Sequence, residues 1–204
     1  MTKTDGLGAT ETDSLRSTMN TLTAERLATF LLRDTVGAET QLQRYIRMGA
    51  HPAILSVVQL GGGPAMGAKS ERFLREAWPS LRTREPGRGN TGYDHRCTCP
   101  ISETVHKLEQ KTSGLWDDAL HSFKWQHIEP EHPWTGLLLV GLEPTRVVVW
   151  GMTRTGFQAS RDAGLATRQG GEAGQGYWMT CSDVLPHLIP LKDESDLQAF
   201  VSTL

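Results

Sequence analysis

The stretch GYDHRCTCPISETVHKLEQKT, residues 92–112, decides how the rest of the chain is interpreted. It opens with a glycine-containing turn that ends at Asp94, and its second half has the composition of a β-strand. Successive side chains of a strand point to opposite faces, so Glu109 and Lys111 share one face while Gln110 points to the other. If the segment after Asp94 pairs with this strand as a hairpin, Asp94 lies beside Glu109.

Such a pair of carboxylates favours a particular chemistry. Two adjacent carboxylates repel each other, and a bound divalent cation relieves that repulsion. The ammonium group of Lys111, on the same face, can hold or deprotonate a water molecule beside the metal. Together these groups suit the in-line attack of an activated water on a phosphodiester.

Asp94, followed fifteen residues later by Glu109-x-Lys111, resembles the metal-binding signature of the PD-(D/E)XK nuclease superfamily, and in particular of type II restriction endonucleases. The resemblance covers residues 68–152 and implies an α-β-β-β-α-β order of elements. In this order a helix carrying Glu71 precedes the motif. Tyr93 stands where the proline that gives the family its name would be.

The resemblance also implies the role of each site residue. Asp94, Glu109 and the carbonyl of Gln110 would bind Mg²⁺, which Mn²⁺ can replace. Lys111 would position the attacking water, and Glu71 would support the metal site. The activity implied is sequence-specific hydrolysis of double-stranded DNA to 5′-phosphate and 3′-hydroxyl ends.

Partners follow from the same resemblance. Most such enzymes are homodimers, because a two-fold protein matches a palindromic site. We expect a cognate methyltransferase encoded nearby rather than bound to the protein. Arginine can read guanine, and asparagine or glutamine can read adenine, through paired hydrogen bonds. The candidate DNA-binding residues are Arg84, Arg88, Asn90, Gln126, Arg154, Arg161, Arg168 and Gln169.

Composition narrows the class of protein. The chain has 204 residues, 38% of them hydrophobic, which is enough for the core of one compact domain. The net charge of −2 excludes a basic field over the whole surface, but arginines concentrated in particular segments can still bind a polyanion. The three cysteines are few and odd in number, which is not typical of a secreted disulfide scaffold. With no apolar stretch of membrane-spanning length and no signal-like start, we expect a cytoplasmic protein and no membrane partner.

The predicted fold class is α/β, with a central mixed β-sheet flanked by helices and an N-terminal helical segment. We expect a disordered or loosely packed tail over 1–19, a helical segment over 20–66 and the nuclease-like core over 67–204. The predicted elements of the core are helices over 69–78 and 116–127, strands over 104–112, 136–142 and 146–150, an aperiodic DNA-contacting loop at about 154–178, and a C-terminal helix that contains Leu197 and Phe200.

Several alternatives stay open. A repair or recombination nuclease would use the same metal site on damaged or branched DNA. A non-catalytic regulator would instead use residues 27–46 as a helix-turn-helix. His95, Cys97 and Cys99 alternate as zinc ligands might, but ordinary buried residues are favoured because no second ligand pair exists. Residues 62–70 lack the spacing of a phosphate-binding loop. The tryptophans are expected mostly in the core, with Trp178 alone near a ligand.

Overall fold

The computed structural model describes residues 40–61, 63–85, 92–117, 122–170 and 175–204. Residues Gln41–Leu204 form one compact unit. The described part of the predicted helical segment and the sheet both belong to this unit. The tail predicted over 1–19 lies outside the described residues. The unit begins with three helices: α1 (Gln41–Arg47), α2 (Pro52–Val58) and α3 (Gly63–Ala77).

Helix α3 is longer than predicted, and it contains the boundary expected at residues 66 and 67. Its buried residues Met66, Ser70 and Leu74 repeat every four positions, which places one stripe of the helix against the sheet. The segment compared with a phosphate-binding loop is therefore largely helical.

Within the described ranges, nine strands form a mixed sheet, which confirms the predicted α/β class with helices flanking a central sheet. Along its main path the order is β7-β8-β4-β3-β5-β6-β9, while β2 pairs with β1 and β3. Only the β3–β5 pair is parallel among the described pairings. The strands are β1 (Arg82–Thr83), β2 (His95–Thr98), β3 (Val105–Asp117), β4 (Ser122–Ile128), β5 (Gly136–Leu142), β6 (Val147–Thr153), β7 (Thr167–Arg168), β8 (Tyr177–Thr180) and β9 (Ile189–Leu191).

The remaining helical elements follow the sheet. They are α4 (Arg154–Asp162), α5 (Cys181–Val184), a 3₁₀ turn (Leu185–His187) and α6 (Glu194–Val201). Helix α6 confirms the predicted C-terminal helix, and Asp193 caps it by accepting from the main-chain N–H groups of Ser195 and Asp196. No described helix has the length and apolar character needed to cross a bilayer.

Strand β5 is buried along its whole length because both faces of the sheet are covered there. A Cβ atom added at Gly151 of β6 would lie 2.8 Å from the ring of Phe200 in α6. On the opposite face, a Cβ atom at Gly141 would lie 2.7 Å from the ring of Phe123 in β4. The glycines therefore let an aromatic ring rest directly on the sheet from each side.

The amphipathic helix predicted over 116–127 is wrong. Residues up to Asp117 continue β3, and Ser122–Ile128 form β4. Phe123, Trp125 and Ile128 are buried, with spacings of two and then three residues. The second spacing departs from the two-residue period of a strand because a bulge separates Trp125 from Ile128. His127 adopts a positive φ of 57° at that bulge. The expected α-β-β-β-α-β order is wrong as well, since no helix separates β3 from β5 among the described residues.

The aperiodic loop predicted at about 154–178 is also wrong over much of its length. Residues Arg154–Asp162 form α4, whose first turn is capped by Thr153 accepting from the N–H of Gly156. Phe157 anchors this helix by packing edge-on against the rings of Trp134 and Tyr177. In the rest of this segment, β7 occupies Thr167–Arg168 and β8 begins at Tyr177, while residues 171–174 lie outside the described residues.

Candidate active site

Asp94 is placed by the pairing of β2 with β3. Its main-chain N–H donates to the carbonyl of Leu108 (3.0 Å), and its Oδ2 accepts from the main-chain N–H of Gln110 (2.8 Å). The first residue of β2, His95, is paired with Leu108 of β3. Beyond this pair, the Asp94 carboxylate and not a main-chain carbonyl accepts the hydrogen bond from the N–H of Gln110. The structure therefore brings Asp94 to the centre of the Glu109-Gln110-Lys111 motif.

Glu109 and Lys111 share a face of β3, as the alternation predicts. Lys111 Nζ lies 2.7 Å from Glu109 Oε1, and the two side chains are only 19% and 9% exposed. Burial raises the pKa of Glu109, the charge of Lys111 opposes that rise and the charge of Asp94 adds to it. The motif thus holds a largely buried ion pair next to a second carboxylate.

Glu71 of α3 contributes a third carboxylate to the same electrostatic field. It is partly buried and lies 3.7 Å from Arg75 one turn along the helix. Burial raises the pKa of Glu71, and repulsion from Asp94 raises it further.

The opposite face of β3 carries the side chain of Gln110 in a neutral hydrogen-bond network. Gln110 Oε1 accepts from His95 Nε2 (2.8 Å), and Gln110 Nε2 donates to Ser70 Oγ (2.8 Å) and Thr112 Oγ1 (3.1 Å). Arg75 Nη1 lies 3.4 Å from His95 Nδ1, which assigns the acceptor role to that nitrogen. Burial lowers the pKa of His95 to about 4, so the ring is neutral at pH 7.

This network was not predicted from the sequence. Its only local signal is the alternation of side chains along β2. With Asp94 beside Glu109, the next residue, His95, points to the opposite face of the sheet, where the Gln110 side chain lies. The main chain of Gln110 still points to the Asp94 edge, because its N–H reaches Asp94 and the N–H and C=O of a strand residue point the same way. The Gln110 carbonyl therefore faces the side where the metal ligand was expected.

The donor set suits a hard divalent cation. Among the described residues, no three His, Cys, Asp or Glu side chains lie close enough together to hold a metal ion. A cation here would use the carboxylates of Asp94 and Glu109 with the Gln110 carbonyl, all oxygen donors of the kind that Mg²⁺ prefers. Burial is the main reason why the pKa of Glu109 is raised, and a cation would relieve the additional repulsion from Asp94.

The alternating His95, Cys97 and Cys99 are all buried, as predicted for ordinary core residues. Cys97 Sγ accepts from Gln198 Nε2 at 3.7 Å, so this thiol packs against α6. His95 is taken up by Gln110. Cys99 Sγ accepts from the main-chain N–H of Ser102 at 3.4 Å, so each of the three side chains has a hydrogen-bond partner within the protein.

The predicted DNA-binding residues fall into four groups. Gln126 and Gln169 come together, with Gln169 Nε2 donating to Gln126 Oε1 (3.1 Å). Arg84 and Arg168 are exposed. Arg88 and Asn90 lie outside the described residues.

The other two arginines are engaged within the protein. Arg154 donates to the carbonyls of Pro130, His132 and Trp134, and its guanidinium stacks on the Trp134 ring. Arg161 lies over the ring of Tyr177 and donates to its hydroxyl (3.2 Å). Both arginines therefore hold α4 in place, which leaves fewer of their donors for DNA.

The second helix of the predicted helix-turn-helix is α1, and the first helix lies outside the described residues. Gln41 and Arg44 of α1 donate to main-chain carbonyls at the end of β3. Tyr45 is buried, and its hydroxyl accepts from the N–H of Leu115 (2.9 Å) and donates to the carbonyl of Leu142. The face of α1 that carries these three side chains is directed at the sheet.

Comparisons with known proteins add no assignment. No protein-family model matches the chain, and no curated protein sequence matches it.

Proposed function

We propose that this protein is a Mg²⁺-dependent endodeoxyribonuclease that hydrolyses phosphodiester bonds in double-stranded DNA. The observation that carries this proposal is the hydrogen bond from Gln110 N–H to Asp94 Oδ2 (2.8 Å). It joins Asp94 to the strand that holds Glu109 and Lys111 on one face. A purely structural ion pair would not require a second carboxylate at the same place.

Each residue of the site has a role in this reaction. Asp94, Glu109 and the Gln110 carbonyl would hold the cation. When bound, a divalent cation stabilises negative charge on a phosphate and lowers the pKa of a water molecule. Lys111, now paired with Glu109, would turn to hold the attacking water by a hydrogen bond. Glu71 would tune the charge of the site from α3.

The finer proposal is a type II restriction enzyme acting as a homodimer on a short palindromic site, with a methyltransferase protecting the host DNA. Exposed Arg84 and Arg168 would contact DNA, together with the paired amides of Gln126 and Gln169. The regulator alternative has less support, because Gln41 and Arg44 of α1 are bonded to β3.

Incubation of the full chain with plasmid DNA tests the proposal. With Mg²⁺ or Mn²⁺ we expect discrete fragments that end in 5′-phosphate and 3′-hydroxyl groups, and with EDTA no cleavage. Ca²⁺ should support DNA binding without turnover, because its geometry is less strict. Cutting confined to branched or damaged substrates would favour the repair nuclease. Cutting that survives EDTA would contradict the assigned site.

A further inference from the structure

Two tryptophans and a lysine form a cluster away from the carboxylates. Lys124 Nζ of β4 lies 4.4 Å from the ring centroid of Trp116 and 4.0 Å from that of Trp178. Trp116 is 59% exposed, although it was expected in the core. Since both centroids lie near one ammonium nitrogen, the two rings can contact one nucleotide or two adjacent ones. We call Trp116, Lys124 and Trp178 the tryptophan cluster.

The tryptophan cluster lies on the outer surface of the β4–β8–β7 part of the sheet. Phe123, Trp125 and Met179 point inward and are buried, so the alternate side chains of β4 and β8 point outward. The hydrogen-bonded amides of Gln126 and Gln169 lie on the same part of the sheet. This surface combines the exposed ring of Trp116, the half-buried ring of Trp178, a cation and amide groups.

We propose that the tryptophan cluster binds unpaired nucleotides of a DNA strand. Bases would stack on the rings of Trp116 and Trp178, and Lys124 would contact the adjoining phosphate. Every base has a π-face, so stacking on exposed aromatic rings beside a cation is the usual way to hold single strands. No carboxylate among the described residues forms an ion pair with Lys124, which keeps the charge of the cluster positive.

Other ligands of aromatic surfaces fit less well. A quaternary ammonium ligand also seeks the face of a ring, but the positive charge of Lys124, close to both rings, would repel a second cation. A neutral sugar can stack on tryptophan, but it gains nothing from the charge of Lys124. A nucleotide is both aromatic and anionic, and it matches both parts of the cluster.

The tryptophan cluster and the candidate active site are joined by one strand. Glu109 and Trp116 both belong to β3, and at about 3.3 Å per residue they are separated by roughly 23 Å along it. Being seven positions apart, they point to opposite faces of the sheet, so the tryptophan cluster is a site separate from the carboxylates. The inference requires nucleic-acid binding but not catalysis, and it goes beyond the proposed cleavage activity.

Binding of the full chain to fluorescein-labelled oligothymidine of twelve residues tests the inference, with EDTA present to prevent cleavage. The wild type should bind, and the oligonucleotide should quench its tryptophan fluorescence. Trp116→Ala and Trp178→Ala should each weaken binding by roughly 5- to 100-fold. Trp116→Phe should retain much of the affinity. The matched control Ile101→Ala, at an 81% exposed apolar residue, should bind as the wild type does.

The lysine has its own measurement. Lys124→Ala should weaken binding and lower the slope of log affinity against log salt concentration by about 0.7, the value for one phosphate contact on a single strand. Lys192→Ala, which removes an exposed lysine at the end of β9, should leave that slope unchanged. An equal effect of the two lysine variants would overturn the assignment of Lys124.

The outcomes separate this inference from the proposed function. If the tryptophan variants lose oligothymidine binding while plasmid is never cut, the cluster stands and the nuclease proposal fails. If plasmid is cut but the wild type shows neither quenching nor binding of oligothymidine, the cluster inference fails alone. Quenching by a neutral oligosaccharide such as maltohexaose, with none by oligothymidine, would also overturn it. Thermal unfolding of each variant shows whether it is folded, and the wild-type titration is decisive even where a variant is not.

Discussion

The two faces of strand β3 bury polar side chains in different ways. On one face Glu109 and Lys111 form a charged pair beside Asp94. On the other face Gln110 lies among neutral partners, His95 and Ser70. The Gln110 network has its hydrogen bonds satisfied and needs no further group, whereas on the charged face burial and the charge of Asp94 disfavour the Glu109 carboxylate and Lys111 offsets them only in part. This difference distinguishes a structural network from a site prepared for a ligand.

The largest expected effect belongs to the charged face and to cleavage. Asp94→Ala, Glu109→Ala and Lys111→Ala should each lower the plasmid cleavage rate by on the order of a thousandfold or more, because the three groups act as one unit. Double variants should lose little more than single ones. The rates are measured on a plasmid, and DNA binding by fluorescence anisotropy shows that the fold persists.

A matched control for charge is Glu76→Gln, which alters an exposed acid on α3. It should cut at the wild-type rate. Near-normal cutting by any of the three alanine variants would show that the metal site is assigned wrongly.

The neutral face should show itself in the pH dependence of stability. The pKa of His95 falls from 6.5 to about 4 on folding, so its contribution to the free energy of unfolding is present above pH 6.5 and is lost as the pH falls through 4, by about 3 kcal/mol in total. His95→Gln cannot titrate and should lack this part of the acid destabilisation. Urea unfolding of both proteins between pH 7 and pH 4 measures the difference. Parallel pH profiles would mean that His95 is not held neutral.

The charged face should respond to pH in the opposite direction. The pKa of Glu109 is raised by burial, so its contribution to stability is full below its ordinary value of 4.5 and decreases as the pH rises through the folded value. Lys111→Met leaves this carboxylate without its cation and should cost about 2 kcal/mol at pH 7, less than for a fully buried pair. The deficit relative to wild type should shrink as the pH is lowered. A deficit that does not change with pH would mean that Lys111 contributes packing alone.

Metal binding should stabilise the protein by a smaller free energy, and this stabilisation should depend on the charged face alone. Mg²⁺ at ten times its dissociation constant should stabilise the wild type by about 1.4 kcal/mol, seen as a rise in Tm. Ca²⁺ should also raise Tm. Asp94→Asn should lose the effect, whereas His95→Gln on the neutral face should keep it. A metal-induced rise in Tm that persists in Asp94→Asn would place the ion elsewhere.

The contrast between the faces was partly predictable from the sequence. Strict alternation within one strand separates Glu109 and Lys111 from Gln110, and this is a local property of the chain. The contact of Asp94 with Gln110 depends on the register of β2 against β3, which alternation alone does not define. His95 and Ser70 come together through the packing of α3 on β3, and no local pattern contains that information.

Strand β4 shows why periodicity failed elsewhere. Trp116, Phe123 and His127 fall at helical spacing, so the pattern predicts a helix. The bulge before Ile128 breaks the two-residue period that would have indicated a strand, and it hides the outward position of Lys124. The same error assigned Trp116 to the core, and only the paired strands reveal it as part of an exposed surface.

The smallest expected effect compares two neighbours on α3 that belong to different faces of the site. Ser70→Ala removes the acceptor of Gln110 Nε2 and should cost about 1 kcal/mol, with no pH dependence between pH 5 and 8, because all the groups involved are neutral. Glu71→Gln removes a partly buried acid whose pKa is raised by burial and by Asp94, so it should change stability by less than about 0.5 kcal/mol, and in the stabilising direction as the pH rises. Glu76→Gln, exposed on the same helix, is the control for losing an acid as such. Urea unfolding at pH 5 and pH 8 provides all three comparisons. If Glu71→Gln were destabilising and Ser70→Ala neutral, α3 would support the charged face rather than the neutral network, and the division between the two faces of β3 would not extend to the helix.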